Sequence, residues 1–209
     1  MLRKDFTTFL LSIPQDVTLV VASKYIDSSG IREIYSHNIK SFGENRTKDF
    51  LVKYEELKDL KDIEWHFIGH LQTNKAKDII NKIDYLESLD SLKLADIIEK
   101  YASKPLKVFV EVSINLEENK NGVPYYELED FLTKLKEYKK IELVGLMMMA
   151  VKGSLDTSSQ FRKLRLLRDE MEQKLDINIP YLSMGMSDDY LEAINEGATH
   201  IRLGRILFK

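Results

Sequence analysis

The chain has 209 residues, enough to bury one sizeable core, and its 44 % apolar and 31 % charged residues are an ordinary globular balance. With 31 basic residues against 34 acidic ones the formal net charge is −3, which gives no electrostatic footprint for nucleic acid. Cysteine is absent, which excludes disulfides, thiolate nucleophiles and cysteine-ligated metals together.

The first residues, MLRKDFTTFLLSIPQD, place basic side chains ahead of the apolar FLLSI in the manner of a secretion signal. The apolar part is too short, Asp5 interrupts the basic part, and no small-x-small cleavage pattern follows, so DFTTFLLS is expected to be a helix. No later stretch approaches the length of a membrane span. The expected setting is therefore the cytoplasm, away from membranes.

Eight short apolar runs then follow: 17–23 (VTLVVAS), 39–43 (IKSFG), 64–69 (EWHFIG), 83–89 (IDYLESL), 106–113 (LKVFVEVS), 142–149 (ELVGLMMM), 180–185 (PYLSMG) and 199–204 (THIRLG). Segments with apolar residues at three- and four-residue spacing lie between them, among them FLTKLKEYKK after Pro124 and FRKLRLLRDEMEQKL. INLEENKNGVP (114–124) has the composition of a flexible loop. Strand alternating with helix implies a parallel sheet, and near-continuous apolar runs such as LKVFVEV are what strands buried on both faces require. Eight such units are the count that closes a (β/α)8 TIM barrel, here as a single α/β domain over 1–209. An open doubly wound sheet is the competing architecture. The short basic KAK at 75–77 reads as a solvated helix face.

In such a barrel, active residues sit at the C-terminal ends of the strands. Lys24 lies just past the first strand and, counting by twos, shares a face with Ala22, Val20 and Thr18. If that face points inward, burial over an apolar floor would disfavour the ammonium and free the amine to attack carbonyls. The plainer reading is a lysine reaching out to water from a strand end. At the other end of the chain, Ser187 precedes DDYLEAINEG and fits the N-cap of a helix, where free amides bind anions. Gly204 ends the last strand and lets a ligand approach bare backbone, with Arg202 on the same strand face, inside the barrel. Barrels frequently bind phosphate after strands seven and eight. A reactive lysine plus a phosphate cradle calls for a ligand with an aldehyde and a phosphate, and pyridoxal 5′-phosphate has both.

The segments ASKY (22–25), FGEN (42–45), WHFIGHLQTNK (65–75), GLMMMA (145–150), LSMGMSDDYLEAINEGATHIRLG (182–204) and the ILF ending occur in this order over nearly the full length. Together they resemble the pyridoxal phosphate homeostasis protein family, whose fold is the barrel domain of alanine racemase. The resemblance implies that Lys24 carries pyridoxal 5′-phosphate as a Schiff base. It implies that Ser187 and the backbone around Gly204 and Arg205 hold the phosphate, that Arg202 faces the ring or the phosphate, and that Asn45 lies near the site. The sequence departs from the family in two places. Arg205 stands where a small hydroxyl residue is usual, which removes one phosphate hydroxyl and leaves the amide. The chain also ends at Lys209, where the family commonly continues.

HFIGH (66–70) spaces two histidines four apart, but the flanking residues favour a strand end and no Glu lies between them, so no metal site is assigned and both histidines are expected to line the barrel and its rim. The methionines at 147–149 read as core, with one available to a ring. An always-charged arginine beside the pyridine nitrogen would keep that nitrogen unprotonated and make the ring a poor electron sink. The chain also lacks the second domain that supplies alanine racemase with a further acid/base. No catalytic residue is therefore assigned. The expected role is a monomeric carrier that buffers pyridoxal phosphate, delivers it to apo-enzymes, and influences amino-acid and keto-acid balance. The alternatives are a weak racemase-like enzyme and an aldolase-like barrel that uses Lys24 on a phosphosugar.

Overall fold

A computed structural model describes residues 2–115, 121–151 and 156–208. Eight parallel strands close on themselves: β1 (Thr18–Ala22), β2 (Ser41–Glu44), β3 (Glu64–Phe67), β4 (Tyr85–Leu89), β5 (Leu106–Ser113), β7 (Ile141–Met147), β8 (Tyr181–Ser183) and β9 (His200–Leu203). A two-residue strand, β6 (Val123–Pro124), pairs with the end of β5 outside that circle. Closure is made by β4 on β5, with Leu86 opposite Val108 and a register shift before Leu89, and by β1 on β9, with Val20 opposite Arg202. These two pairings exclude the open doubly wound sheet. The loop expectation at 114–124 falls partly outside the described residues.

Helices cover the outside, and each is set by a recognisable start or face. In α2 (Ser28–Tyr35) the Asp27 side chain accepts the Gly30 N–H, and in α5 (Leu92–Tyr101) Ser91 accepts the Leu94 N–H. The longest, α7 (Thr157–Leu175), starts with Asp156 accepting the Ser159 N–H and buries Phe161, Leu164 and Met171. The expected N-terminal helix is α1 (Phe6–Leu11), which buries Phe6 and Phe9; FLTKLKEYKK supplies most of α6 (Leu128–Leu135).

Alternation along the strands divides the core in two. Outward residues such as Leu19, Val21, Phe42, Phe67, Val108, Val110, Ile201 and Leu203 join one large apolar cluster beneath the helices. A small inner cluster holds Tyr85, Phe109, Val144 and Met147. Many of the remaining inward positions are polar: His66, Glu87, Glu111, Ser183, His200 and Arg202 are all buried. Side-chain volume is kept out of the wall where strands crowd, since a Cβ on Gly145 would stand 2.2 Å from the Tyr181 carbonyl oxygen. Of the three methionines, Met147 and Met148 are core and Met149 is exposed.

Candidate functional site at the C-terminal end of the barrel

At the C-terminal ends of the strands a cleft of about 510 Å³ opens between the turn after β1 and the loops after β8 and β9. Lys24, Ser187, Arg202, Gly204 and Arg205 all line it. β1 stops at Ala22 and the chain tightens into a 3-10 turn, Ser23–Tyr25, in which Ser23 is buried and Lys24 is exposed. The strand-like count by twos therefore ends at Ala22. Solvent reaches Lys24, as the plainer reading of a lysine at a strand end has it, and the apolar burial of the other reading is absent; its Nζ lies 5.0 Å from the Tyr25 ring centroid.

Ser187 does not cap a helix. The helix after β8, α8 (Tyr190–Asn195), has Asp189 at its N-cap position, and the Asp189 carboxylate reaches back to accept the Met186 N–H at 2.6 Å. That choice frees the Ser187 hydroxyl, which accepts long hydrogen bonds from the Gly204 N–H (3.4 Å) and the Ile206 N–H (3.5 Å). The turn that brings Ser187 there depends on Gly185, whose φ of +93° and lack of a Cβ, which would sit 2.5 Å from Ala193 Cβ, suit only glycine. Arg205 is largely exposed and pairs with exposed Asp188 at 2.8 Å.

Arg202 forms the buried floor. Its guanidinium donates to Ser183 Oγ at 2.6 Å and to the Met148 carbonyl at 2.9 Å. Ser183 passes its own hydrogen to Glu87 Oε2 at 2.6 Å, and Glu87 Oε1 accepts from His66 Nδ1 at 2.6 Å. Burial would push the Glu87 carboxyl up, but the hydrogen bond from His66 and the nearby charge of Arg202 outweigh it and hold it at about 2. Glu111, buried in the same interior, has the opposite fate. Burial and the repulsion of Asp90 push it up to about 7, against the weaker pull of Arg202 and His70.

Asn45 is not among the residues lining this cleft. It faces a smaller hollow of about 280 Å³ with Arg46, His70 and Lys75, and its Oδ1 is buried with no hydrogen-bond partner among the described residues. The two histidines sit where the strand reading puts them: His66 inside the barrel, and exposed His70 on the rim, 3.0 Å from Asp90. Among the described residues no group of His, Cys, Asp or Glu could hold a metal. Glu87 and Ser183, which fix Arg202, escape a sequence reading. The one signal, and for Glu87 alone, is a charged residue within the apolar run IDYLESL.

Chemically the cleft offers an exposed primary amine on one side. On the other it offers a small-anion crevice made of one hydroxyl and two amides, with a fixed cation beneath. The model for the alanine racemase N-terminal domain matches residues 31–209. A pyridoxal phosphate homeostasis protein of Aquifex aeolicus strain VF5 is 45 % identical over 195 residues, covering 91 % of this chain and 85 % of the relative. PipY of Synechococcus elongatus PCC7942, solved without PLP, superposes with a TM-score of 0.94 at 32 % identity and covers 100 % of both chains. The same protein solved with PLP bound superposes at 0.90 with 31 % identity, covering 99 % of each chain. The chain belongs to the alanine racemase N-terminal-domain family and, within it, to the pyridoxal phosphate homeostasis proteins.

Proposed function

We propose that this chain binds pyridoxal 5′-phosphate in the cleft, holds it on Lys24, and keeps it for transfer to apo-enzymes with little or no turnover of its own. The observation that carries this reading is the meeting of Lys24 with the Ser187 hydroxyl and the Gly204 and Ile206 amides across one cleft, over a buried arginine. The donor set fits the ligand. A phosphate monoester needs several converging N–H and O–H donors, and the crevice by Ser187 supplies them without a bulky side chain at Gly204. Long contacts of 3.4 and 3.5 Å leave those amides weakly engaged, so a phosphate oxygen can take them over.

The cofactor supplies an aldehyde for covalent attachment and an electron-withdrawing ring. Lys24 supplies the amine. Ser187 orients the phosphate, and Arg205 contributes its backbone while its side chain stays with Asp188. Arg202 acts through what it cannot do. A guanidinium has no acceptor and stays charged, and here Ser183 and Met148 fix it on two sides. A ring placed above it gains a positive neighbour and no proton acceptor, which keeps proton chemistry at the ring weak. Asn45 serves from the adjoining hollow, outside the set that touches the ligand first. The proposed working form is a monomer acting in the cytoplasm. Among the described residues no helix is long and apolar enough to cross a membrane.

The experiment is reduction of the pyridoxal phosphate complex with borohydride followed by peptide mass mapping. The adduct is expected on Lys24, together with an absorption band of the loaded protein that an apo-enzyme acceptor discharges. An adduct confined to another lysine overturns the reading.

A further inference from the structure

Lys24 makes no hydrogen bond or ion pair among the described residues, so apart from the neighbouring Tyr25 ring its position is set by the backbone of its turn. That turn is held from behind. Ser23 points to the helix side of the wall and meets two charged residues buried there, Glu44 at the end of β2 and Lys53 in α3 (Thr47–Glu56). Lys53 Nζ donates to the Ser23 carbonyl at 2.8 Å and to Glu44 Oε1. Glu44 Oε1 also accepts the Ser23 hydroxyl at 2.8 Å, and Oε2 accepts the Asn45 N–H at 3.2 Å. The Ser23 carbonyl takes the Ile26 N–H as well, at 3.0 Å, which closes the turn around Lys24.

Glu44 is 0 % exposed and Lys53 8 %. Stability does not account for such a pair, because burying two charges costs roughly what their attraction returns and an apolar pair of the same volume serves as well. What an apolar pair lacks is direction. Here every bond of the pair that leaves it ends on the residue before Lys24 or on Asn45. We infer that Glu44 and Lys53 are positioning residues that set the neutral Lys24 amine for attack on the ligand's aldehyde, where a carbon–nitrogen double bond would replace the carbon–oxygen one and the oxygen would leave as water with the two amine hydrogens. The inference rests on the cofactor reading above and adds the part that makes Lys24, rather than any exposed lysine, the site of attachment.

The test separates binding from attachment. Pyridoxine 5′-phosphate has the ring and phosphate but an alcohol in place of the aldehyde, so it reports binding only. Two variants are compared with wild type after circular dichroism shows them folded: the charge-free pair Glu44→Gln with Lys53→Met, and Ser23→Ala, which removes one hydroxyl. Pyridoxine phosphate affinity is expected to stay at the wild-type level in both. The rate of covalent capture of pyridoxal phosphate on Lys24 is expected to fall in the double variant by at least about tenfold, on the scale where a misplacement of about 1 Å costs up to about a hundredfold. Ser23→Ala is expected to fall between the two. Wild-type capture rates in the folded variants overturn the inference, as does a parallel loss of pyridoxine phosphate affinity, which marks a merely structural role. If wild type itself gives no Lys24 adduct, the cofactor reading fails and this inference with it.

Discussion

At the C-terminal end of the barrel, Lys24, Ser187 and Gly204 face a cleft of about 510 Å³, and the Gly204 and Ile206 amides converge on the Ser187 hydroxyl. At the N-terminal end, Thr18, Glu64, His66, Tyr85, Tyr181 and His200 line a hollow of about 210 Å³. The lower groups are engaged with one another as rings. His66 stacks on Tyr85 at 4.4 Å, and His200 stands edge-on to Phe109 at 5.2 Å and to Tyr181 at 5.0 Å. Burial pushes His200 down to about 4, so it is neutral, just as burial near Asp90 lifts Glu111 to about 7 near the upper end. An acid rises and a base falls, each toward its uncharged form. Between the two ends the rule is reversed. Glu87 stays ionised beside Arg202, in the one stretch of the interior where a fixed cation lies under the upper cleft. Inside the barrel, then, buried charge persists where it fixes the floor of the cleft and is neutralised at His200 and Glu111.

The largest expected effect comes from breaking that middle stretch. Arg202→Met leaves Glu87 charged and half-paired, and is expected to cost about 3–5 kcal/mol of stability, read from urea unfolding at pH 7. Adding Glu87→Met removes both charges and is expected to recover most of the loss. A single variant as stable as wild type would show that the pair does not anchor the floor.

The next effect sharpens the contrast between the ends through pH. Glu111 holds its proton in the fold from its ordinary 4.5 up to about 7, so its contribution is present at low pH and is lost as pH rises through that window. Glu111→Gln is therefore expected to stabilise the protein by about 3 kcal/mol at pH 8 and to do nothing below pH ~4.5. His200 behaves in the opposite sense. Its unfolded form takes up a proton below its ordinary 6.5 and the folded form only at about 4, so stability is lost as pH falls through that range. His200→Phe is expected to flatten the acid side of the stability curve and leave the alkaline side alone. Thermal unfolding at a series of pH values tests both; identical curves for both variants would dissolve the contrast.

Ser187→Ala is the smallest change. Losing one hydrogen bond to a charged phosphate is expected to weaken pyridoxal phosphate binding by about 1.5–3 kcal/mol. Because Asp189 and not Ser187 stands at the start of α8, the thermal midpoint of the unloaded variant is expected to stay put. A fall of the size of a lost helix cap, about 1 kcal/mol, would return Ser187 to that role.

The barrel was legible in the sequence because parallel strands buried on both faces must read as apolar runs, and eight of them alternate with helical spacing. The register of closure was not, since the shift between Leu86 and Leu89 depends on contacts from another strand. Lys24, Ser187, Arg202, Gly204 and Arg205 were placed in one cleft by motif and strand-end logic, and the structure brings them together. The finer geometry went astray for local reasons. MSDD offers three residues in a row able to start a helix, and the backward bond of Asp189 to Met186 decides among them. Lys24 leaves the strand alternation because a 3-10 turn follows Ala22. Asn45 follows Glu44 directly in the chain, yet it turns into the neighbouring hollow. Lys53 carries no sign of burial in the sequence; it is buried where β2 delivers the Glu44 carboxylate to it.

The seam between β1 and β9 joins strands far apart in the chain, with Thr18 opposite His200 and the Arg3 N–H bonded to the Leu207 carbonyl. Lys24 leaves the ribosome well before the Ser187 and Gly204 crevice, on the order of ten seconds or more earlier. Through that interval the amine has no crevice to share a ligand with, and closing so long a loop is the slow part of assembly. A ligand that needs both halves cannot template early folding. It can only reward the finished molecule, by mass action on the closed barrel. A ligand that bridged the amine and the crevice would thereby report that β9 has closed the barrel.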